Sequence, residues 1–175
     1  MMSSIKVLIV DNDDLFWQGA TEILASAQDI SIVGQIDDAF EAINLIRRVH
    51  PKVVLLGLGA SKNLKWLIQE MNSASPQIKI IVIHKESQEY LVLDAFRQGA
   101  VGHLPRETIH PDGIAAAIRT VNRGDVVLQP NIAGSIMDEI IRGQRCAAGD
   151  RNGRSVEQEK KVSPQKVRNG GRKHD

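Results

Sequence analysis

The chain has 175 residues, 42% of them hydrophobic and 25% charged, and a formal net charge of +1 at pH 7. This composition is typical of an ordinary globular protein with one core. The single cysteine, Cys146, excludes an intrachain disulfide, and no apolar run is long enough for a signal peptide or a membrane span, so we expect a soluble, cytoplasmic protein.

Five short apolar segments, each followed by a segment of helical periodicity, account for residues 1–124. The apolar segments predict strands at residues 5–10, 30–36, 53–56, 78–83 and 101–104. The periodic segments predict helices at residues 15–26, 39–49, 64–71, 87–98 and 114–124. We place Ile23 in the buried stripe of the first helix and Phe40 in that of the second. Strict alternation favours a parallel sheet with helices on both faces, because parallel neighbours need a crossover connection.

Residues 125–143 follow as an extension, with a short apolar piece at residues 126–128 and a last amphipathic helix from Pro130. The remaining residues, 144–175, are polar and glycine-rich without periodicity, so we expect a disordered tail. Counted from residue 143, the end of the chain carries nine Lys or Arg and four Asp or Glu, a net charge of +5, which leaves −4 for the body. Such a tail contacts nucleic acid or an acidic partner weakly, although it is more often a solubilising segment.

The third predicted strand is the centre of this arrangement. Its four apolar residues, 53–56, are bounded by Pro51 and Gly57, which is typical of a strand buried on both faces. Ligands of open α/β sheets bind beyond the carboxyl ends of the strands. Gly57 occupies that position and has no side chain for chemistry.

Four segments carry a resemblance to a known family. They are IKVLIVDNDDLFWQG (5–19), HPKVVLLGL (50–58), QEYLVLDAFRQGAVGHL (88–104) and IRTVNRGDVVLQPNIA (118–133). Together they resemble the receiver domain of bacterial response regulators of the NarL/LuxR type. The resemblance implies a flavodoxin-like α/β fold over residues 1–124, with a five-stranded parallel sheet in the order 2-1-3-4-5 and helices on both faces. We do not find the helix-turn-helix domain usual in this subfamily in the remaining residues.

The resemblance also implies the contents of the pocket. Receivers accept a phosphoryl group from a histidine kinase on an aspartate at the end of the third strand, with Mg²⁺ held by that aspartate and by an acidic pair after the first strand. A hydroxyl residue after the fourth strand and a lysine after the fifth then contact the phosphoryl oxygens. In this sequence the four positions hold Gly57, Asp11 with Asn12, His84 and Arg106. We therefore predict a pseudo-receiver with no phosphorylation, no enzyme activity and no cofactor beyond weak Mg²⁺ binding at Asp11.

The charged candidate residues have two interpretations each. Asp11, Asp13 and Asp14 form a cation site, or they simply stabilise the start of the first helix through its dipole. Arg106 bridges to Asp11 in place of a phosphoryl contact, or it is a surface arginine that follows Pro105. The sequence leaves both pairs of alternatives open.

Two histidines form a second candidate group. His103 stands at the position of the family's switch aromatic residue, which the resemblance places near His84. Two imidazoles there respond to pH or bind a transition metal together with Asp11. The alternative is that both are packed or solvated histidines without such a role.

We predict a signalling module that acts through protein contacts. The expected contact face, which also serves for a homodimer, is formed by the fourth helix, fifth strand and fifth helix. By analogy, its contact residues are Tyr90, Leu93 and Arg97 on the fourth helix, together with His103. The alternative is a transcription regulator or nucleic-acid-associated protein that binds duplex DNA through its basic tail.

Overall fold

A computed structural model describes residues 4–152, with side chains for residues 4–142. The strands are β1 (Ile5–Val10), β2 (Ile30–Ile36), β3 (Val53–Gly57), β4 (Lys79–His84) and β5 (Gly102–Pro105). The helices are α1 (Asp14–Ala25), α2 (Ala39–Val49), α3 (Leu64–Ala74), α4 (Glu89–Arg97), α5 (Pro111–Asn122) and α6 (Pro130–Asn152). A 3₁₀ turn, Glu86–Gln88, precedes α4.

Polar side chains define the beginnings of three helices. Asp13, Asp38 and Asn63 each accept a hydrogen bond from the backbone N–H three residues later, at 3.2, 2.8 and 3.0 Å. These bonds satisfy N–H groups that have no partner within the helix. After α4, Gly99 adopts φ = +109°, a conformation that glycine tolerates without a Cβ clash. The predicted glycine stop after the fourth helix is therefore present.

The charged residues at the helix ends differ in sign between the N-terminal and C-terminal ends. Acidic residues stand in the first turns, at Asp14, Glu41, Glu89 and Asp112. Basic residues stand in the last turns, at Arg47, Arg48, Arg97 and Arg119. This distribution complements the helix dipoles, whose positive ends lie at the N-termini.

The five strands form one parallel sheet in the order β2-β1-β3-β4-β5. Val10 of β1 pairs with Leu56 of β3, Gly57 pairs with Ile83 of β4, and β4 in turn pairs with β5. The register brings the carboxyl ends of these four strands to the same edge of the sheet. The predicted flavodoxin-like α/β fold is confirmed.

Helices cover both faces of the sheet. The face covered by α2, α3 and α4 buries Ile43, Ile46, Leu67, Ile68, Met71 and Val92 against strand residues. The opposite face, covered by α1 and α5, buries Trp17, Leu24, Ile114, Ile118 and Val121. The central strands are therefore apolar on both sides, as predicted for β3.

The segment between α5 and α6 pairs with the free edge of β5. The backbone N–H of Val127 donates to the carbonyl of Val101 at 3.1 Å, and the N–H of His103 donates to the carbonyl of Val127 at 3.0 Å. Five residues after Val127, Ile132 of α6 is buried in the apolar layer of α2, α3 and α4. The short apolar piece seen in the sequence thus covers a sheet edge that would otherwise present unpaired backbone groups.

Two predicted core positions are wrong. Ile23 is 47% exposed and Phe40 is 67% exposed. In α1 the indole of Trp17 occupies the centre of the buried face, so the buried stripe runs through Trp17 and Leu24 and leaves Ile23 outside it. Phe40 lies in the first turn of α2, where its ring packs against Trp66 at a centroid distance of 5.1 Å instead of entering the core.

The helix predicted from Pro130 runs past residue 143, the predicted end of the extension, to Asn152. Residues 144–148 include good helix formers, among them two alanines, which explains the continuation. The chain divides into two units, residues 1–137, which hold the sheet, and residues 138–175. Most of the predicted disordered tail, residues 153–175, lies outside the described residues. Over the described range, no helix is long and apolar enough to cross a membrane.

Candidate functional site

The candidate residues meet at the carboxyl edge of the sheet. Asp11 follows β1, Gly57 ends β3, His84 ends β4 and Arg106 follows β5. The backbone N–H of Arg106 donates to the carbonyl of His84 at 2.8 Å, which joins the last two of these positions. Parallel register, which no single motif encodes, brings these residues together.

Asp11 is a buried carboxylate, only 1% exposed. Its Oδ2 accepts a hydrogen bond from the indole Nε1 of Trp17 at 2.8 Å, and its Oδ1 accepts one from the backbone N–H of Asp13 at 3.2 Å. Oδ2 also accepts from the guanidinium of Arg106. A carboxylate removed from water needs such partners, because an unpaired buried charge costs several kcal/mol.

Arg106 forms a bridge between two carboxylates. Its guanidinium donates through one amino group to Asp11 and through the other to Asp13. The same group lies over the ring of Phe16, 4.6 Å from the centroid, in a cation–π arrangement. The sequence left open whether Arg106 bridges to Asp11 or lies on the surface. Its side chain is 12% exposed and forms the bridge. We call Asp11, Asp13, Trp17 and Arg106 the Asp11–Arg106 cluster.

Gly57 leaves room for this cluster. A Cβ atom at position 57 would lie 2.3 Å from Cγ of Asp11 and 2.4 and 2.6 Å from its two carboxylate oxygens. Real Cβ atoms do not approach other atoms this closely. The carboxylate of Asp11 therefore occupies the space that any side chain at position 57 would need.

The other acidic candidates have separate roles. Asp13 caps α1 with one oxygen and contacts Arg106 with the other. Asp14 accepts a hydrogen bond from Nε2 of Gln35 at 3.1 Å, and Asn12 is exposed. Among the residues whose side chains are described, no three His, Cys, Asp or Glu are arranged to hold a metal ion.

His84 and His103 form a buried pair beside the cluster, 3% and 1% exposed. Nε2 of His84 lies 3.2 Å from Nδ1 of His103. His84 Nδ1 lies 3.1 Å from the carbonyl oxygen of Lys85, and His103 Nε2 accepts from the backbone N–H of Gln129 at 3.0 Å. Because a carbonyl only accepts and an N–H only donates, these end contacts assign the tautomers, and both rings fit as neutral imidazoles with His103 donating to His84.

Burial makes the charged form of His103 unfavourable. Desolvation, followed by the effect of neighbouring His84, lowers the pKa of His103 to about 4. Outside the pair, the carboxylate of Glu107 accepts hydrogen bonds from backbone N–H groups, including that of Glu86, and these lower the pKa of Glu107. The structure therefore places His103 as a packed, neutral histidine near neutral pH, and its partners do not include Asp11.

Three of the residues expected at a contact face lie on α4, whereas His103 lies on β5 and, at 1% exposed, is not at the surface. Tyr90 is 74% exposed, Leu93 is half-buried, and Arg97 is exposed and pairs with Asp94 in the same helix. Close by, Asn131 of α6 donates a hydrogen bond to Glu89 of α4. The start of α6 therefore contacts the first turn of α4.

Two residues of the site and one pairing were not identified from the sequence. Trp17 lies three and seven positions before Ala20 and Leu24, so helical spacing alone could have placed it inside. The pairing of Asp13 with Arg106, separated by 93 positions, has no local signal. The same holds for Gln129, whose backbone N–H is brought to His103 by the pairing of Val127 with β5.

Comparison with known proteins agrees with the fold. Residues 7–119 match the family described as the response regulator receiver domain. Response regulator GacA of Pseudomonas aeruginosa is 30% identical over 134 residues, which cover 74% of this chain and 60% of that protein. Transcriptional regulatory protein DegU of Brevibacillus brevis is 25% identical over 141 residues, which cover 80% of this chain and 59% of that protein.

Solved structures give the same fold. A two-component response regulator of the LuxR family from Aurantimonas sp. SI85-9A1 superposes with a TM-score of 0.66 at 22% identity, covering 79% of this chain and 99% of that chain. The chain spans about three fifths of the length of the curated relatives it matches.

Proposed function

This chain belongs to the response regulator receiver domain family of two-component systems, and from that premise we propose that it is a signalling module that works through protein contacts without being phosphorylated itself. It needs no cofactor and catalyses no reaction in this proposal. The proposal goes beyond family membership because the family's chemistry depends on residues that this chain replaces.

One observation carries the proposal: the acceptor position is Gly57, and the carboxylate of Asp11 fills the space beside it. An acyl phosphate forms only on a carboxylate nucleophile, which glycine lacks. Asp11 itself is a poor substitute, because its oxygens already accept from Trp17, Asp13 and Arg106. No described carboxylate at this edge is both buried in the pocket and free of strong donors.

The surroundings support a single conformation in place of a phosphorylation switch. Arg106 ties the loop after β5 to the loop after β1. His103 is held inward by His84 and by the backbone of Gln129. Both contacts exist without a phosphoryl group, so a partner would meet the same surface at all times.

Within the predicted face of α4, β5 and α5 we propose the exposed side of α4 as the contact surface, because Val127 already pairs with the edge of β5. The contact residues are Tyr90, Leu93 and Arg97, and the partner is a second copy of the chain or another protein. Tyr90 supports this proposal, since a large aromatic side chain that is 74% exposed is an effective anchor at protein interfaces. His103 supports the surface from inside.

The test of the central proposal is intact mass spectrometry after incubation with acetyl phosphate and Mg²⁺. We expect no mass gain, whereas a receiver domain that carries the acceptor aspartate should gain one phosphoryl group under the same conditions. A stable phosphoryl adduct on Asp11 or Asp13 would overturn the proposal.

A second candidate function, DNA-associated regulation, is favoured by the +5 net charge of residues 143–175 and by relatives named as transcriptional regulatory proteins. Phosphate contacts of this kind weaken steeply with salt. Binding of the full chain to duplex DNA should then fall with ionic strength. Replacing Lys160, Lys161 and Lys166 by glutamine should weaken binding and flatten its salt dependence, and unchanged binding would contradict this function.

A further inference from the structure

We propose that Arg106 is a built-in cation that takes the place of the divalent metal ion expected from the family, so that the pocket of this chain is a completed ionic cluster and not a metal site. This inference rests on the proposed function, because it concerns the same pocket. It adds the reason why the pocket stays closed to a metal ion, and it makes Gly57 part of the same arrangement.

The oxygen atoms that a metal ion would need are already in use. On Asp11, Oδ1 accepts from the backbone of Asp13, and Oδ2 accepts from both Trp17 and Arg106. On Asp13, Oδ1 caps α1 and Oδ2 accepts from Arg106. A metal ion would therefore have to compete with the guanidinium for both carboxylates.

The remaining ligands are too few for Mg²⁺. This ion requires near-octahedral oxygen ligands at short distances and dehydrates reluctantly. Position 57 offers only a backbone carbonyl, and the second position of the acidic pair is Asn12, whose exposed amide carries no charge. As long as Arg106 holds Asp11 and Asp13, the residues present therefore do not fit Mg²⁺, in contrast to the family's general metal binding.

Arg106 satisfies the charge requirement that a metal would otherwise meet. Its planar guanidinium bonds two carboxylates at once and keeps its charge across the pH range of folded proteins. The ring of Phe16, 4.6 Å away, covers one of its faces. Because the cation is covalently part of the chain, neither a chelator nor a change of metal concentration removes it.

Gly57 and Arg106 depend on each other through Asp11. Bonded to Arg106 and Trp17, the carboxylate of Asp11 lies where a Cβ at position 57 would be, as close as 2.3 Å. A larger residue at position 57 would displace this carboxylate from its donors. The glycine is therefore a requirement of the ionic cluster and not merely a lost aspartate.

The test measures the melting temperature of the full chain in Mg²⁺ against NaCl of equal ionic strength, and again after addition of EDTA. We expect wild type to give the same Tm in all three conditions. Arg106→Met, which keeps an aliphatic stem, should lower Tm by roughly 10 °C without metal. Mg²⁺ at about ten times its Kd should then raise the Tm of this variant by roughly 4 °C, because two unpaired carboxylates remain.

A matched control is Arg119→Met, which breaks a different arginine–aspartate ion pair. That pair, Arg119 with Asp29, lies outside the pocket. Mg²⁺ should not change the Tm of this variant. A saturable rise of Tm with Mg²⁺ in wild type would overturn the inference. This outcome does not depend on whether any variant folds. A folded Arg106→Met that ignores Mg²⁺ would overturn it as well.

These outcomes are distinct from failure of the proposed function. Mg²⁺ binding by wild type without a mass gain from acetyl phosphate overturns only the built-in cation. A mass gain overturns the proposed function itself.

Discussion

Two largely buried polar clusters lie side by side at the carboxyl edge of the sheet, and they pair their polar groups in different ways. The Asp11–Arg106 cluster is ionic, with two carboxylates sharing one guanidinium. The histidine pair is neutral, with each imidazole bonded to the other and to a backbone group. The sequence resemblance predicts a part of the family's phosphorylation chemistry at each of them.

The difference shows what each cluster depends on. An ionic cluster depends on having both partners, since removal of one leaves an uncompensated buried charge. A neutral imidazole pair depends on pH, since a proton added to it faces another N–H and a poorly solvating environment. The two clusters should therefore lose stability under different treatments. Four experiments distinguish their contributions.

The largest effect is expected from breaking the ionic cluster on one side. Arg106→Met leaves Asp11 buried without its cation and should lower the free energy of unfolding by about 4 kcal/mol, measured by urea denaturation. Adding Asp11→Asn to this variant should recover part of the loss, because the uncompensated charge is gone. A loss below about 1 kcal/mol in the single variant would mean that the bridge contributes no more than a surface pair.

Acid should act mainly through His103. The folded pKa of His103 is about 4, below its usual 6.5. Between these values the unfolded chain binds the proton and the folded chain does not, so stability falls as pH drops from 6.5 to about 4, by at most about 3 kcal/mol. Urea denaturation across this window should show a steeper fall for wild type than for His103→Gln, a neutral replacement.

Carboxylates near the pair do not account for this window. Glu86, Glu89 and Glu107 line the cavity beside His84. The pKa of Glu107 is lowered, so its contribution to stability is lost only as pH falls below the range of unfolded glutamate. Equal slopes for wild type and His103→Gln above pH 5 would show that His103 is not the group that titrates.

A smaller effect is expected when a side chain is added at Gly57, beside the carboxylate of Asp11. Gly57→Ala should lower the free energy of unfolding by about 2 kcal/mol, because its Cβ would push the carboxylate of Asp11 away from Arg106. Gly59→Ala is the control, since a Cβ there would lie 3.5 Å from Asn12, an ordinary contact. Equal urea midpoints for the two variants would contradict the close approach at position 57.

The smallest effect is expected at an exposed ion pair of the same chemistry. Arg119 donates to Asp29 through two bonds of 2.7 and 2.8 Å, with both side chains about 40% exposed. The hydrogen bond from Arg119 lowers the pKa of Asp29. Arg119→Met should leave Tm unchanged within error, because water screens and replaces such pairs. If Arg119→Met lowered Tm as much as Arg106→Met does, the expected difference between buried and exposed ion pairs would be contradicted.

The sequence predicts the sheet and its edge well, and the contacts within the site less well. Periodicity and strand order place Asp11, Gly57, His84 and Arg106 at one edge, because every strand of a parallel sheet points the same way. The bridge from Arg106 to Asp13 was not foreseen, since side-chain pairing across 93 residues depends on loop geometry. Local patterns also misplaced Phe40, because a first-turn residue at the end of a sheet has little core beneath it.

The charges at the helix ends have a consequence for the whole sheet domain. All helices that cross a parallel sheet point the same way, so their acidic first turns gather at one pole and their basic last turns at the other. Lys6, Lys52 and Lys79, at the beginnings of β1, β3 and β4, add to the basic pole. The domain is therefore an electric dipole whose copies attract head to tail, and side by side repel when they point the same way. This preference should fade at physiological ionic strength, where charges more than about 8 Å apart are screened.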